Sequence, residues 1–198
     1  SQLFGILQGG FVPKERKDFS QFVRSFDLPG YALGGFCLGE PKELMFELIS
    51  VVCDEICEDG KPVYLMGVGT PADIARAVSL GVDMFDCILP TRLGRNGWAF
   101  TSNGLLKVRN SEFATDAKPL DPQCNCYTCN NFSRSFIRHC FNVKEINGLT
   151  LTSIHNLHYY ATLMKKIRQA IADGNLNCLV EKLSETESGK PFHRVIRG

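Results

Sequence analysis

The chain has 198 residues, 44% hydrophobic and 22% charged, with a formal net charge of +1. These values belong to an ordinary soluble globular protein of one domain, or one domain with a small appendage. No apolar run approaches the ~18–20 residues of a membrane span and the chain has no secretory signal, so a membrane protein is excluded and a cytoplasmic one expected.

Charge is unevenly spread. Residues 1–60 carry 10 acidic and 5 basic side chains, whereas residues 92–144 carry 8 basic and 3 acidic. The second region therefore suits a partner that bears phosphates. The nine cysteines are odd in number and mostly scattered, which favours reduced thiols over a disulfide framework.

The chain opens on Ser1 and runs at once into a strand, Leu3–Gln8, an abrupt start that suggests a piece of a longer protein. That strand ends in Gln8-Gly9-Gly10. Phe19, Phe22, Val23 and Phe26 share helical spacing within Glu15–Phe26 and predict one amphipathic face. A second strand, Tyr31–Phe36, again ends on glycine, and a helix over Pro41–Ile56 carries Met45, Leu48, Ile49, Val52 and Ile56 on one side. The third strand is Val63–Gly69. Thr70-Pro71-Ala72-Asp73 is a strong helix start, with an N-cap, a proline at the first position and an acid in the first turn.

Val82–Arg95 stands out. Met84, Phe85, Cys87, Ile88 and Leu89 read as a strand buried on both faces, and Asp86 sits among them. A carboxylate there costs several kcal/mol unless it is paired, hydrogen-bonded or opens into a pocket. Arg92 and Arg95 follow Pro90, where α/β folds place ligand-binding loops. A structural aspartate capping the turn before Pro90 is the competing reading.

The alternation gives four parallel βα units. Four do not close a barrel and eight do, so the fold is a small open sheet or the second half of a (β/α)8 TIM barrel, which the abrupt start favours. Function then belongs at the carboxyl ends of the strands, where Gln8, Gly34-Gly35, Met66-Gly67 and Asp86 fall. Residues 1–95 would form these units, 96–155 an insertion with a β-hairpin (Trp98–Thr101 with Leu105–Arg109) and a helix at Asn131–Asn142, 156–176 the last helix, and 177–198 a polar tail.

Cys124-Asn125-Cys126-Tyr127-Thr128-Cys129 is a C-x-C-x-x-C cluster within that insertion. Three thiolates need a fourth ligand to close a tetrahedral structural zinc site. Histidines 139, 155, 158 and 193 compete; His155, just ahead of the last helix, is best placed to tie the insertion back, while His139 and His158 remain alternatives.

Leu3–Gly10, Tyr31–Glu40, Tyr64–Asp73, Val82–Arg95, the cysteine cluster and Ile154–Met164 together resemble the tRNA-guanine transglycosylase (queuine tRNA-ribosyltransferase) family. The resemblance covers nearly the whole chain and implies the second half of a barrel with one structural Zn2+ on Cys124, Cys126, Cys129 and His155. It implies base exchange: Asp86 attacks the ribose of a wobble guanosine in tRNA, guanine leaves, and a 7-deazaguanine resolves the covalent intermediate. Gln8, Gly35 and Met66 would bind the base, and Glu40 would support the peptide beside Gly35. Gly67, Val68, Gly69, Thr70, Pro71, Ala72 and Asp73, with Thr91, Arg92, Leu93, Gly94 and Arg95, would contact the tRNA. A homodimer is implied too. The family's general acid/base aspartate lies in the half not present here, so these residues alone are expected to bind zinc yet exchange guanine poorly. The rival is a non-catalytic zinc-containing accessory or tRNA-binding subunit; retention of Asp86 speaks against it.

Overall fold

The structure, a computed structural model, describes residues 1–188. His193 and the end of the expected tail lie outside the described residues. The chain falls into two compact units, Ser1–Cys87 and Ile88–Gly198, so Ile88–Arg95, expected with the βα units, belongs to the second.

The first unit is a four-stranded parallel sheet in the spatial order β1 (Phe4–Leu7), β2 (Gly30–Leu33), β3 (Val63–Leu65), β4 (Met84–Phe85). Helices α1 (Pro13–Arg24), α2 (Lys42–Ile56) and α3 (Pro71–Ser79) make the crossovers, so the mixed α/β class is as the alternation predicts. Thr70 Oγ1 accepts the Asp73 N–H at 3.2 Å and Pro71 opens α3, the cap-plus-proline start. Leu7, Leu33, Leu65 and Phe85 pair as one row across the sheet. The three leucines of this row are fully buried against Leu48, Ile49, Val52 and their neighbours. Side chains alternate between faces, so Ile6, Ala32, Tyr64 and Met84 form the row on the other face, where Ile6 and Met84 stay exposed.

Two expectations change here. The strand predicted over 84–89 stops at Phe85, because Pro90 in a first helical turn starts helix α4 (Leu89–Arg95) rather than merely ending a strand. Met84 and Ile88 are exposed, not buried on both faces. On α1 only Val23 of the predicted apolar face is buried; Arg16 and Ser20 share its side, while Phe19, Phe22 and Phe26 are exposed and pack on each other.

In the second unit β5 (Trp98–Thr101) and β6 (Gly104–Lys107) form the expected antiparallel hairpin. It is followed by α5 (Tyr127–Asn131), α6 (Arg134–Asn142), α7 (Ile146–Ala172) and α8 (Leu176–Glu187). Ala99, Val108, Leu120, Ile137, Phe141 and Leu151 are its core. The predicted helix over Asn131–Asn142 is broken at Phe132, because Ser133 Oγ takes the Phe136 N–H and caps α6. Helix α7 starts well before the predicted Asn156, so His155 lies inside the helix rather than ahead of it. Buried Gly148, Leu151, Thr152 and His155 extend it on packing that apolar periodicity alone does not display. The segment read as a tail is helical over Leu176–Glu187. No described helix is long and apolar enough to cross a membrane.

Candidate active site and metal centre

One residue past the paired row of the first sheet stand Gln8, Gly34, Met66 and Asp86. Ladder bonds continue to this level: Gly34 N–H donates to Leu7 O and Met66 N–H to Leu33 O, both at 3.2 Å. By alternation all four lie on the face opposite the helices. Met66 and Asp86 are exposed there. The four strands thus bring Gln8 to one end of a row and Asp86 to the other, across three inter-strand steps of ~4.8 Å.

Asp86 is held by neighbours on β3 and its loop. The Tyr64 hydroxyl donates to Asp86 Oδ1 at 2.7 Å and the Gly67 N–H to the same oxygen at 3.0 Å. These donors, the tyrosine foremost, hold the Asp86 carboxyl below the usual carboxylate range, against a smaller opposing effect of burial. Gly67 reaches its position with φ +76°, a conformation that favours glycine. Oδ1 is thus anchored by two donors.

Gln8 lies over the glycine pair. A Cβ on Gly34 would meet Gln8 Nε2 at 2.8 Å and one on Gly35 would meet Oε1 at 2.8 Å. The Glu40 carboxylate accepts the N–H groups of Cys37 (2.6 Å) and Leu38 (2.8 Å) and fixes the left-handed turn at Cys37.

The expected tRNA-contact segment behaves unevenly. Gly67 is exposed, but Val68, Gly69, Thr70, Pro71, Ala72 and Asp73 are buried, and Asp73 pairs with Lys42 Nζ at 2.8 Å. These residues build the start of α3 rather than a surface. In the second unit Arg92 and Arg95 stand on helix α4, not on a loop; Arg95 is exposed, Thr91 and Arg92 are half-buried, and Leu93 and Gly94 are buried.

Two residues of the first site escaped the sequence reading. Tyr64 fell within the third predicted strand with no role given to it, and Arg16, which is fully buried, was given none. Nothing local marks either, since both are defined by partners in other βα units.

In the second unit Cys124, Cys126, Cys129 and His155 bring their ligand atoms within 4.8 Å of one another. His155 Nδ1 is 3.5 Å from Cys126 Sγ and 3.3 Å from Cys129 Sγ. Ligands at ~2.0–2.3 Å around a tetrahedral zinc stand ~3.5–3.8 Å apart, so the spacing fits. The far side of the imidazole decides the tautomer. Nε2 lies 2.7 Å from the Phe100 carbonyl, which only accepts, so Nε2 carries the hydrogen and Nδ1 keeps its lone pair for a metal. The Cys126 thiol is held far below its ordinary value, first by the hydrogen bond from Cys129 and then by His155, while Cys129 is pushed up. His158 instead meets Asn125 Oδ1 at 3.1 Å. The residues present fit a structural zinc ion with no open coordination position.

The sequence matches the family described as "Queuine tRNA-ribosyltransferase" over residues 1–188. The chain belongs to the queuine tRNA-ribosyltransferase family. Proteins named queuine tRNA-ribosyltransferase from Moorella thermoacetica and Desulforamulus reducens are 51% and 52% identical over 174 residues, 88% of this chain and 46% and 47% of theirs. One of the same name from Francisella tularensis is 49% identical over 177 residues, 89% of this chain and 48% of its own. The chain therefore spans about half the length of the curated queuine tRNA-ribosyltransferases it matches.

Proposed function

We propose that this chain carries the nucleophile, part of the base pocket and the zinc site of a cytoplasmic tRNA-guanine transglycosylase, which replaces the wobble guanine of an anticodon with a 7-deazaguanine. The row formed by Gln8, Gly34, Met66 and Asp86 carries this reading. A base held at Gln8, Gly35 and Met66 puts its glycosidic carbon toward Asp86. A carboxylate oxygen of Asp86 attacks C1′ of the ribose, the C1′–N9 bond breaks, and guanine leaves with the electron pair and takes up a proton. The incoming base then gives up its N9 proton, bonds to C1′ and releases the carboxylate. Two inversions preserve the configuration at C1′. A carboxylate held below its usual pKa is ionised at neutral pH without an activating base. Extracting a single base from an anticodon loop costs less than from a duplex.

In this reading the sheet is half of a (β/α)8 barrel. Its open face, with Ile6, Tyr64, Met66 and Met84, would be the barrel interior. The phenylalanine stripe of α1 supports that. Lys17, Gln21 and Arg24 point to Glu55 and Asp59 beside α2, so Phe19, Phe22 and Phe26 lie on the flank away from it, where a further helix would pack. Residues 96–155 are the zinc-bearing insertion and residues 156–176 the final helix. Gly67, Thr91, Arg92 and Arg95 are the tRNA contacts this reading retains. Bound zinc would be held by Cys124, Cys126, Cys129 and His155 and would tie the Cys loop to α7; it supplies structure, not chemistry. Exposed Tyr127 and Phe136 flank half-buried Phe132, with ring centroids 5.8 and 5.2 Å apart; this aromatic patch favours a homodimer, because apolar surface of this kind marks an interface.

The test is incorporation of labelled guanine into tRNA by the full-length protein and by its Asp86→Ala variant. The variant should lose incorporation by at least about 1,000-fold, as expected for loss of a nucleophile, and should form no covalent tRNA adduct. Equal incorporation by the two would remove Asp86 from the mechanism.

A further inference from the structure

Arg16 is the most deeply buried charged side chain of the first unit, at 0% exposure; Glu40 acts on it only through its charge, and no ion pair to it is formed among the described residues. Its Nε donates to Gly10 O at 2.8 Å, Nη1 to Gly34 O at 3.1 Å and Nη2 to Gly35 O at 3.2 Å. The guanidinium also lies 3.9 Å from the centre of the Phe36 ring. A buried cation is costly unless its donors are satisfied, and here backbone carbonyls from two separate loops satisfy them. Gly9 adopts φ +136°, and a Cβ there would come within 2.6 Å of the Arg16 backbone, so the loop after β1 closes directly on the residue that holds the loop after β2.

Peptide planarity turns this clamp into something more. The C=O and N–H of a trans peptide point in opposite directions. Arg16 takes the carbonyl of the Gly34–Gly35 peptide and that of the Gly35–Phe36 peptide. The N–H groups of Gly35 and Phe36 are therefore directed away from it, and neither has a partner among the described residues. Phe36 is buried and Gly35 half-buried, and unpaired backbone donors in such places are rare. Two adjacent free donors stand beside the Gln8 amide.

We infer that Arg16 is a positioning residue that locks these two peptides so that the Gly35 and Phe36 N–H groups stay presented as a donor pair, selecting a base with a carbonyl oxygen at that position. The inference rests on the base-exchange reading. Guanine and 7-deazaguanines carry such an oxygen at C6; 2,6-diaminopurine carries an amino group there, which sets donor against donor. Free rotation of either peptide would present an acceptor instead and erase the preference, so the rigidity supplied by Arg16 sets specificity rather than rate.

The experiment compares the full-length, zinc-loaded protein with its Arg16→Lys variant, which keeps the charge but cannot reach three carbonyls. The KM for guanine should rise at least about tenfold while that for tRNA, spread over many contacts, moves by less than about threefold. The preference for guanine over 2,6-diaminopurine should shrink by a similar factor. A parallel loss for both bases, or an unchanged guanine KM, overturns the inference. In the unmutated protein guanine should slow amide hydrogen exchange at Gly35 and Phe36 and 2,6-diaminopurine should not; equal protection by both, or by neither, also overturns it, and this measurement does not depend on the variant folding. Absence of guanine exchange by the unmutated protein defeats the base-exchange reading itself, whereas normal exchange with an unselective Arg16 defeats only the role given to Arg16.

Discussion

Tyr64 makes the chemistry of Asp86 depend on a residue from another strand. Its hydroxyl is the largest influence holding the Asp86 carboxyl below the usual range. In the proposed base exchange the carboxylate is the reactive form, so activity would be present above the folded pKa and lost as pH falls through it. Removing the hydroxyl lets that pKa rise. Tyr64→Phe should shift the acid limb of single-turnover covalent capture of tRNA to higher pH and leave the rate at neutral pH much less affected, because the carboxylate stays ionised there. An unmoved acid limb would show that Tyr64 does not control Asp86. Asp86 itself was legible from the sequence as a carboxylate inside an apolar run. Its donors were not, because Tyr64 and Gly67 lie 22 and 19 residues away and meet it only through the register of β3 on β4.

At the scale of elements, α4 and α7 approach closely enough that Gly94 is required. A Cβ at that position would come within 2.7 Å of Ser153 Oγ and 2.9 Å of both its Cα and N. Buried Asn156 locks the same region, donating to the carbonyls of Pro90 and Trp98 at 2.9 Å and accepting the Phe100 N–H at 3.0 Å. Gly94→Ala should therefore destabilise the protein by about 1–3 kcal/mol, the usual cost of overpacking, read as a lower midpoint in thermal unfolding. Adding Ser153→Gly should restore little, because the backbone of residue 153 still obstructs the new methyl; full restoration would place the clash in the hydroxyl alone. The sequence offered Gly94 only as one residue among the expected tRNA contacts. A helix crossing also constrains it, and local pattern carries no record of which helix crosses which.

For the molecule as a whole, the zinc ligands bind together three parts of the second unit: the Cys loop, the hairpin through the Phe100 carbonyl, and α7 through His155. Chelation releases that tie and leaves three thiols and an imidazole crowded without a cation. Removing zinc should lower the unfolding midpoint by about 10 °C or more, given that metal binding at a closed site is folding free energy. Zinc content should fall from about one per chain to none, and readdition should restore both. A midpoint indifferent to chelation would mean the four residues hold no structural metal. His158→Ala should leave zinc content unchanged, since that ring is turned to Asn125.

The βα alternation, the capped start of α3, the hairpin, the cysteine cluster and the aspartate within an apolar run are all legible in the residues alone. Each follows from spacing within a turn or two of chain, where side-chain periodicity, proline and capping chemistry act directly. Long-range packing settles that Arg16 is buried while three phenylalanines on or just after the same helix are not, that Pro90 begins a helix, and that Phe100 fixes the tautomer of His155. Those outcomes depend on which distant carbonyl, hydroxyl or helix arrives opposite a side chain. Crossover handedness and strand register set that arrival, and neither leaves a trace in the residues next door.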